Sequence, residues 1–164
     1  MLFTNLFHWL LGAGRELAVL VISMMPLVEL RGAVPLGVAA GMPLLVLYPL
    51  AILGNMLPIP FLLFFGEKLL DWVCTLRPLE KYATAYKQKL LAKTSEVTKY
   101  TRIGLFLFVA VPLPGTGAWS GALIATLLKM PKGKALLSIL GGVLTAGLIM
   151  LAASMSVVGV AGLL

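Results

Sequence analysis

The chain has 164 residues, of which 60% are hydrophobic and 12% are charged, with a formal net charge of +7. An average soluble domain carries about 25% charged residues, so this composition excludes an ordinary soluble protein. It predicts an all-α integral membrane protein. One cysteine and one histidine cannot form a disulfide or a ligand cluster, and we expect no metal and no cofactor.

The first apolar stretch predicts a helical hairpin that does not cross the membrane. Leu17 to Pro26 is too short to span a hydrocarbon core, and Pro26 interrupts a helix because proline lacks an N–H. A second short helix extends to about Gly41, loosened by Gly32 and Pro35. We expect a re-entrant element here, shaped by these two prolines and the glycine.

Glu29 and Arg31 stand inside this otherwise apolar stretch. An ionised group near a bilayer centre costs roughly 2.5–3.5 kcal/mol, so such residues usually face protein or water and mark a pathway. We predict that both bind a proton or substrate. The alternative is a structural ion pair, and residues at i and i+2 would pair only if the backbone is irregular there.

The middle of the chain predicts one membrane span followed by a surface helix. Leu44 to Phe65 is a long apolar segment that bends near its middle, and it carries Asn55 as a further candidate for substrate binding. Residues 77–102 hold seven lysines or arginines against two glutamates and predict a basic amphipathic helix on the membrane surface. Leu79, Tyr82, Tyr86, Leu90 and Val97 would form its apolar face.

A second broken stretch runs from Ile103 to Leu128, where prolines and glycines are incompatible with one continuous helix. The residues predicted to shape this second hairpin are Pro112, Pro114, Gly115 and Gly117. Thr116 and Trp119 complete the predicted substrate site. The alternatives are that Asn55 and Thr116 form local hydrogen bonds that close the helix breaks and that Trp119 is a packing residue. Ala135 to Leu164 is long enough for a final span.

Two features favour a topology of paired inverted hairpins. If each broken stretch enters and leaves by one face, the basic segments 77–102 and 129–134 both lie on the cytoplasmic side, as the positive-inside rule requires. In addition, a shift of 88 residues superimposes Pro26 on Pro114, the Met-Pro pair at 42 on that at 130, and Gly54 on Gly142. We therefore predict one membrane domain over 1–164, with an inverted repeat over about 15–76 and 103–164.

Three segments resemble signature stretches of the family of putative small multidrug export proteins: PLVELRGAVPLG from Pro26, LGNMLPIPF from Leu53 and PLPGTGAWSG from Pro112. That family is thought to be distantly similar to the DedA membrane proteins. The resemblance implies paired re-entrant hairpins, with Glu29 and Arg31 in the first and 114–119 in the second. DedA proteins carry acidic and arginine residues in their second hairpin, whereas the second broken stretch of this chain carries no charge.

Three functions remain open at this point. The first is a proton-coupled transporter or exporter in which Glu29 exchanges a proton for substrate between two facing hairpins. The second is a translocase for a polyprenyl phosphate or another anionic lipid, and the third is an assembly protein that transports nothing. We expect no enzyme activity and no nucleic-acid partner. The partners would be membrane lipid, an unknown small molecule and a second copy in a homodimer, in a prokaryotic inner membrane.

Overall fold

The computed structural model describes residues 14–75, 80–98, 102–113 and 115–161, without the side chains of 80, 93–98 and 158–161. These residues are almost wholly helical and include no strand. The helices are α1 (Arg15–Met24), α2 (Glu29–Ala39), α3 (Leu44–Met56), α4 (Ile59–Thr75), α5 (Glu80–Thr98), α6 (Arg102–Ala110), α7 (Ala118–Leu127) and α8 (Lys132–Ala161).

Contacts divide the chain into two units. The first contains α1, α2, α3 and the part of α8 from Val143 onward. We call α1 and α2 the first hairpin, and α3 packs against both of its helices. Gly54 brings α3 against the α1 backbone, because a Cβ at this position would lie 2.5 Å from the carbonyl oxygen of Leu20. The Tyr48 hydroxyl of α3 donates to the Leu144 carbonyl of α8 at 2.9 Å.

The second unit contains α4 to α7 and the part of α8 up to Gly142. We call α6 and α7 the second hairpin. The helix α4 packs on α7, and α5 packs on α4, α6 and α7. Lys87 of α5 forms an ion pair with Asp71 of α4, and the hydroxyls of Tyr86 and Ser120 lie 3.1 Å apart.

Two helical stretches within the described residues are long and apolar enough to cross a membrane, Leu44–Thr75 and Lys132–Val157. The first is interrupted by turn residues at Leu57 and Pro58, as the bend predicted in this segment requires. By contrast, α1 has 10 residues and rises only about 15 Å, half of the hydrocarbon core. The predicted all-helical membrane fold is confirmed, whereas the re-entrant insertion of the hairpins stays a prediction.

The two hairpins have the same local structure at an interval of 88 residues. The helices α2 and α7 end at Ala39 and Leu127, and α3 and α8 begin at Leu44 and Lys132, both 88 residues apart. The turns between these helices use the same hydrogen bonds. Met42 N–H donates to the Gly37 carbonyl at 3.0 Å, and Met130 N–H donates to the Ala125 carbonyl at 3.0 Å. That the two copies have opposite orientations in the membrane stays a prediction.

Positive φ angles follow the same interval. Apart from Gly14, the described residues with a left-handed backbone form three pairs 88 residues apart. These pairs are Leu27 with Gly115, Glu29 with Gly117, and Gly41 with Lys129. Since the left-handed region favours glycine, each pair combines one glycine with one residue for which this backbone conformation is sterically unfavourable.

Two details add to the sequence-based expectations. In the apolar face predicted for the basic segment, Leu90 is buried with Ala83 against the unit whereas Tyr82 is 75% exposed, and the placement of this face on a membrane surface stays a prediction. Leu79 lies outside the described residues, as does the side chain of Val97. The final helix begins at Lys132, three residues before the predicted span, because Pro131 accepts the first helical hydrogen bond from Ala135.

Candidate functional site

The first broken stretch contains two charged residues, Glu29 and Arg31, and both directly follow the turn between α1 and α2. The helix α1 ends at Met24, Pro26 lies in the turn, and α2 begins at Glu29. Glu29 N–H donates to the Met25 carbonyl at 3.0 Å. The carboxyl group is therefore fixed at a helix break inside the first unit, where Glu29 is only 5% exposed.

Arg31 lies beside this carboxyl group. Its Nη1 atom is 3.7 Å from Oε2 of Glu29, and the Arg31 side chain is 17% exposed. The i, i+2 pairing is possible because Glu29 has φ of 52°, so the backbone is irregular at this point. The structure thus brings the two predicted residues together as an ion pair with little access to solvent.

The backbone of Glu29 is strained. A left-handed conformation costs a residue other than glycine roughly 1–2 kcal/mol, and the matching residue of the second hairpin is Gly117. Strained residues of this kind cluster at functional sites, where the surrounding structure holds them in place. The same turn contains Leu27 with φ of 87°, and the corresponding residue of the second hairpin is Gly115.

Asn55 lies on α3 of the first unit and is 1% exposed. Its Oδ1 atom is buried and accepts no hydrogen bond from the described residues. An unsatisfied buried acceptor costs about 1–3 kcal/mol, which makes this oxygen a candidate for contact with water, a ligand or a neighbouring group. The first unit therefore holds three of the five predicted binding residues: Glu29, Arg31 and Asn55.

The other two lie in the second unit and have more local roles. The Thr116 hydroxyl is 2.8 Å from the carbonyl oxygens of both Val111 and Leu113, and it accepts a 3.3 Å hydrogen bond from Leu113 N–H. It closes the break between α6 and α7, as a local hydrogen-bonding residue would. Trp119 is half-buried in the first turn of α7. A substrate contact for either residue stays a prediction.

The predicted shaping residues lie at the helix breaks or inside short helices. A Cβ at Gly32 would meet the Val28 side chain, so this glycine lets Val28 pack closely on α2, and Pro35 is inside α2. In the second hairpin, Gly115 and Gly117 have φ of 77° and 137°. Pro112 lies in the break, whereas Pro114 is outside the described residues.

The sequence reasoning missed a group of lysines in the second unit. Lys68, Lys129 and Lys132 line a cavity between α4, α7 and the start of α8. The 88-residue interval would have revealed these lysines, because Lys129 and Lys132 of the second repeat correspond to the uncharged Gly41 and Leu44 of the first. The two hairpins therefore differ most in where they carry charge.

Together, the apolar spanning helices and the buried ion pair at a helix break define an all-helical membrane protein. The family model described as "Putative small multi-drug export protein" matches residues 29–149, and the chain belongs to this family. The matched segment begins at Glu29 and includes every predicted binding residue. Comparisons with curated proteins and with solved structures gave no significant match. The more distant relation to DedA proteins stays a prediction.

Proposed function

We propose that this chain is a proton-coupled exporter of small molecules and that Glu29 carries the proton. The observation that carries the proposal is the Glu29 carboxyl group itself, buried at a strained helix break beside Arg31. Family membership supports export as the activity. An ionisable side chain in a membrane segment is costly, and its retention at such a position is typical of a proton or substrate pathway.

The pairing supplies a means of exchanging a proton. Burial favours the neutral carboxylic acid, whereas the guanidinium 3.7 Å away favours the carboxylate. A movement that separates Arg31 from Glu29 therefore favours proton uptake, and a movement that restores the pair favours release. A cationic substrate would replace Arg31 as the partner of the carboxylate. Proton and substrate would then compete for one group, which is the requirement for exchange.

The proposal also assigns an orientation to the chain. We place residues 77–102 and 129–134 in the cytoplasm of a prokaryotic cell and the turn at Gly41 outside, because positive charge concentrates on the cytoplasmic side. In a Cys74→Ser background, single cysteines at Leu44, Lys93 and Lys132 would be probed with a membrane-impermeant thiol reagent. We expect Leu44 to react from outside and both lysine positions only from inside. Labelling of the two lysine positions from opposite faces would contradict the inverted hairpins.

Transport itself is tested in proteoliposomes that contain the full chain and the pH dye pyranine. We expect addition of ethidium or tetraphenylphosphonium to dissipate an imposed pH gradient. The Glu29→Gln variant should lose this response by at least tenfold, because an amide cannot exchange a proton. The matched control is Glu16→Gln, which removes an exposed acid from the first hairpin and should retain the response.

The outcomes separate the candidate functions. Equal activity of Glu29→Gln and the unaltered chain would contradict proton exchange at Glu29. Loss of lipid-phosphate movement in Arg31→Ala, with Glu29→Gln nearly normal, would favour the lipid translocase. A Glu29→Gln variant that loses transport must also show an unchanged helical circular dichroism spectrum, which excludes simple misfolding.

A further inference from the structure

A cavity of about 350 Å³ lies within the second unit, separate from the Glu29 turn. Its size is in the range of pockets that hold small molecules. It is formed by one face of α4, the end of α7 and the turn before α8. Its lining residues are Leu63, Phe64, Glu67, Lys68, Ala125, Thr126, Lys129, Met130 and Lys132.

The charge of this cavity is positive. Three lysines line it against the single carboxylate of Glu67. Nζ of Lys132 lies 3.8 Å from the centre of the Phe64 ring, a cation–π contact that keeps this ammonium group beside α4. A cavity with three ammonium groups and one carboxylate favours an anion.

The backbone at Lys129 indicates that a lysine is not the easiest residue at this position. Lys129 has φ of 50°, where glycine would fit without strain. The first hairpin makes the same turn with Gly41 and begins the next helix with Leu44 in place of Lys132. The turn can therefore form without either lysine, so the folding of the turn does not explain why they are present.

The cavity lies where apolar and charged sequence meet. Residues 32–66 carry no charge and Glu67 ends that interval, while no charged residue follows Lys134. Next to the cavity, α4 exposes the aromatic rings of Phe61, Phe64 and Phe65. The rings of Phe61 and Phe65 are tilted by 37° to each other with their centres 5.1 Å apart. This combination places cations beside an exposed apolar surface, which is the pairing that a charged headgroup and its acyl chains require.

We propose that this cavity binds the phosphate headgroup of an anionic membrane phospholipid, with its acyl chains lying along the exposed aromatic face of α4. Lys68, Lys129 and Lys132 would contact the phosphate. Basic pockets beside membrane helices recognise anionic headgroups in this way. We assign the lipid to the cavity of the second unit as a resident ligand, whereas the proton-coupled export proposed above is assigned to Glu29 of the first unit. The proposal therefore goes beyond proton-coupled export and does not depend on it.

Binding is measured through Trp72, which follows Lys68 by one helical turn and is 59% exposed. With Trp9 and Trp119 replaced by phenylalanine, the full chain is reconstituted in vesicles that contain dibrominated phosphatidylglycerol or dibrominated phosphatidylcholine. We expect phosphatidylglycerol to quench Trp72 at a severalfold lower mole fraction. Equal quenching by the two lipids would overturn the proposal.

The decisive variant is Lys129→Gly with Lys132→Leu, which introduces the residues that the first hairpin uses in the same turn. A lysine near an anionic surface contributes up to about fivefold in affinity, so removing two of the three cavity lysines should abolish most of the severalfold preference. The matched control is Lys81→Gln with Lys89→Gln, which removes two exposed lysines of α5 outside the cavity. An equal loss in the control would show only general attraction to a basic surface and would overturn the site.

Three further measurements distinguish loss of the binding site from other causes. An unchanged circular dichroism spectrum for the decisive variant excludes loss of fold, and Lys129→Arg with Lys132→Arg should restore the preference. Inorganic phosphate at constant ionic strength should not displace the lipid. If it does, the ligand is a soluble phosphate and the lipid assignment is wrong. The Glu29 transport assay is unaffected by any of these outcomes.

Discussion

The first and second hairpins share a backbone path and differ in chemistry. Both consist of a short helix, a break, a second short helix and a Met-Pro turn that begins a longer apolar helix. At the break, the first hairpin has Glu29 and Arg31 where the second has Gly117 and Trp119. At the Met-Pro turn the distribution is reversed, because the second hairpin carries the lysines.

Comparing the two hairpins shows which residues the backbone conformation does not itself require. Glycines at 115 and 117 take up positive φ angles in the second break without strain, whereas Leu27 and Glu29 take up positive φ angles at the matching positions at a steric cost. Glycine at 41 likewise makes the turn that Lys129 makes at a cost. The strained residues are therefore the best candidates for function in each copy.

The largest effect is expected where the two hairpins are most alike. At Gly142 a Cβ would lie 2.8 Å from the Phe106 carbonyl oxygen and 2.6 Å from Cβ of Val109. We expect Gly142→Leu to lower the free energy of unfolding by about 3 kcal/mol, because neither contact can move easily. Titration with dodecyl sulfate in mixed micelles, followed by circular dichroism, measures this change.

Gly133→Leu is the matched control, since it lies on the same helix with nothing within 4 Å of a Cβ. The free energy of unfolding should stay within about 0.5 kcal/mol of the starting value or rise slightly, as an exposed helical glycine is replaced by a better helix former. Equal destabilisation at both positions would show that the close approach of α8 to α6 is not the reason why leucine at position 142 is destabilising.

An intermediate effect is expected at the break of the first hairpin. Glu29→Gly relieves the backbone strain but leaves the guanidinium of Arg31 without its carboxylate, so we expect a net loss of about 2 kcal/mol in the free energy of unfolding. Adding Arg31→Trp recreates the second hairpin's residues at this break. The double variant should recover most of the lost stability while transport remains abolished.

The same titration measures this pair of variants. If Glu29→Gly with Arg31→Trp is no more stable than Glu29→Gly, the two breaks are not interchangeable and the comparison fails there. If the double variant is stable and still transports, the ion pair is required neither for stability nor for transport. That result would remove Glu29 from the proposed mechanism.

The smallest effect is expected from exchanging residues at the Met-Pro turns. Lys129→Gly should raise the free energy of unfolding by about 1 kcal/mol, and Gly41→Lys should lower it by a similar amount, because both positions are left-handed. Opposite signs in the same titration would confirm that the two turns share one geometry. Changes of the same sign would show that the lysine contributes packing that glycine lacks.

Much of the helical order follows directly from the sequence. Charge-free intervals define the apolar segments, and Pro26 and the glycines of the second hairpin define the breaks, because proline and glycine act on the backbone locally. The helices α2 and α7 begin at Glu29 and Ala118, shortly after Pro26 and directly after Gly117. The Met-Pro turns also lie where the repeated dipeptide predicts them.

Other features depend on contacts that no local pattern contains. Ala83 rather than Tyr82 is buried on α5, since the Lys87–Asp71 and Tyr86–Ser120 contacts set the rotation of that helix against its neighbours. The lysine cavity joins residues about 60 positions apart in the chain, from α4 and from the turn before α8. From the sequence, the Glu29–Arg31 ion pair could be predicted only if the backbone between them was irregular. The left-handed φ of Glu29 that provides this irregularity has no local sequence signal.

The close approach at Gly54 and Gly142 has a consequence for how the hairpins are held in lipid. In a bilayer the tails are as apolar as leucine, so burial of apolar surface gives helices little reason to associate. Backbones that touch gain dispersion contacts and Cα–H···O interactions with the carbonyls of Leu20 and Phe106. Separating each hairpin from its long helix within the membrane should therefore produce little of the heat-capacity change that accompanies exposure of apolar groups to water.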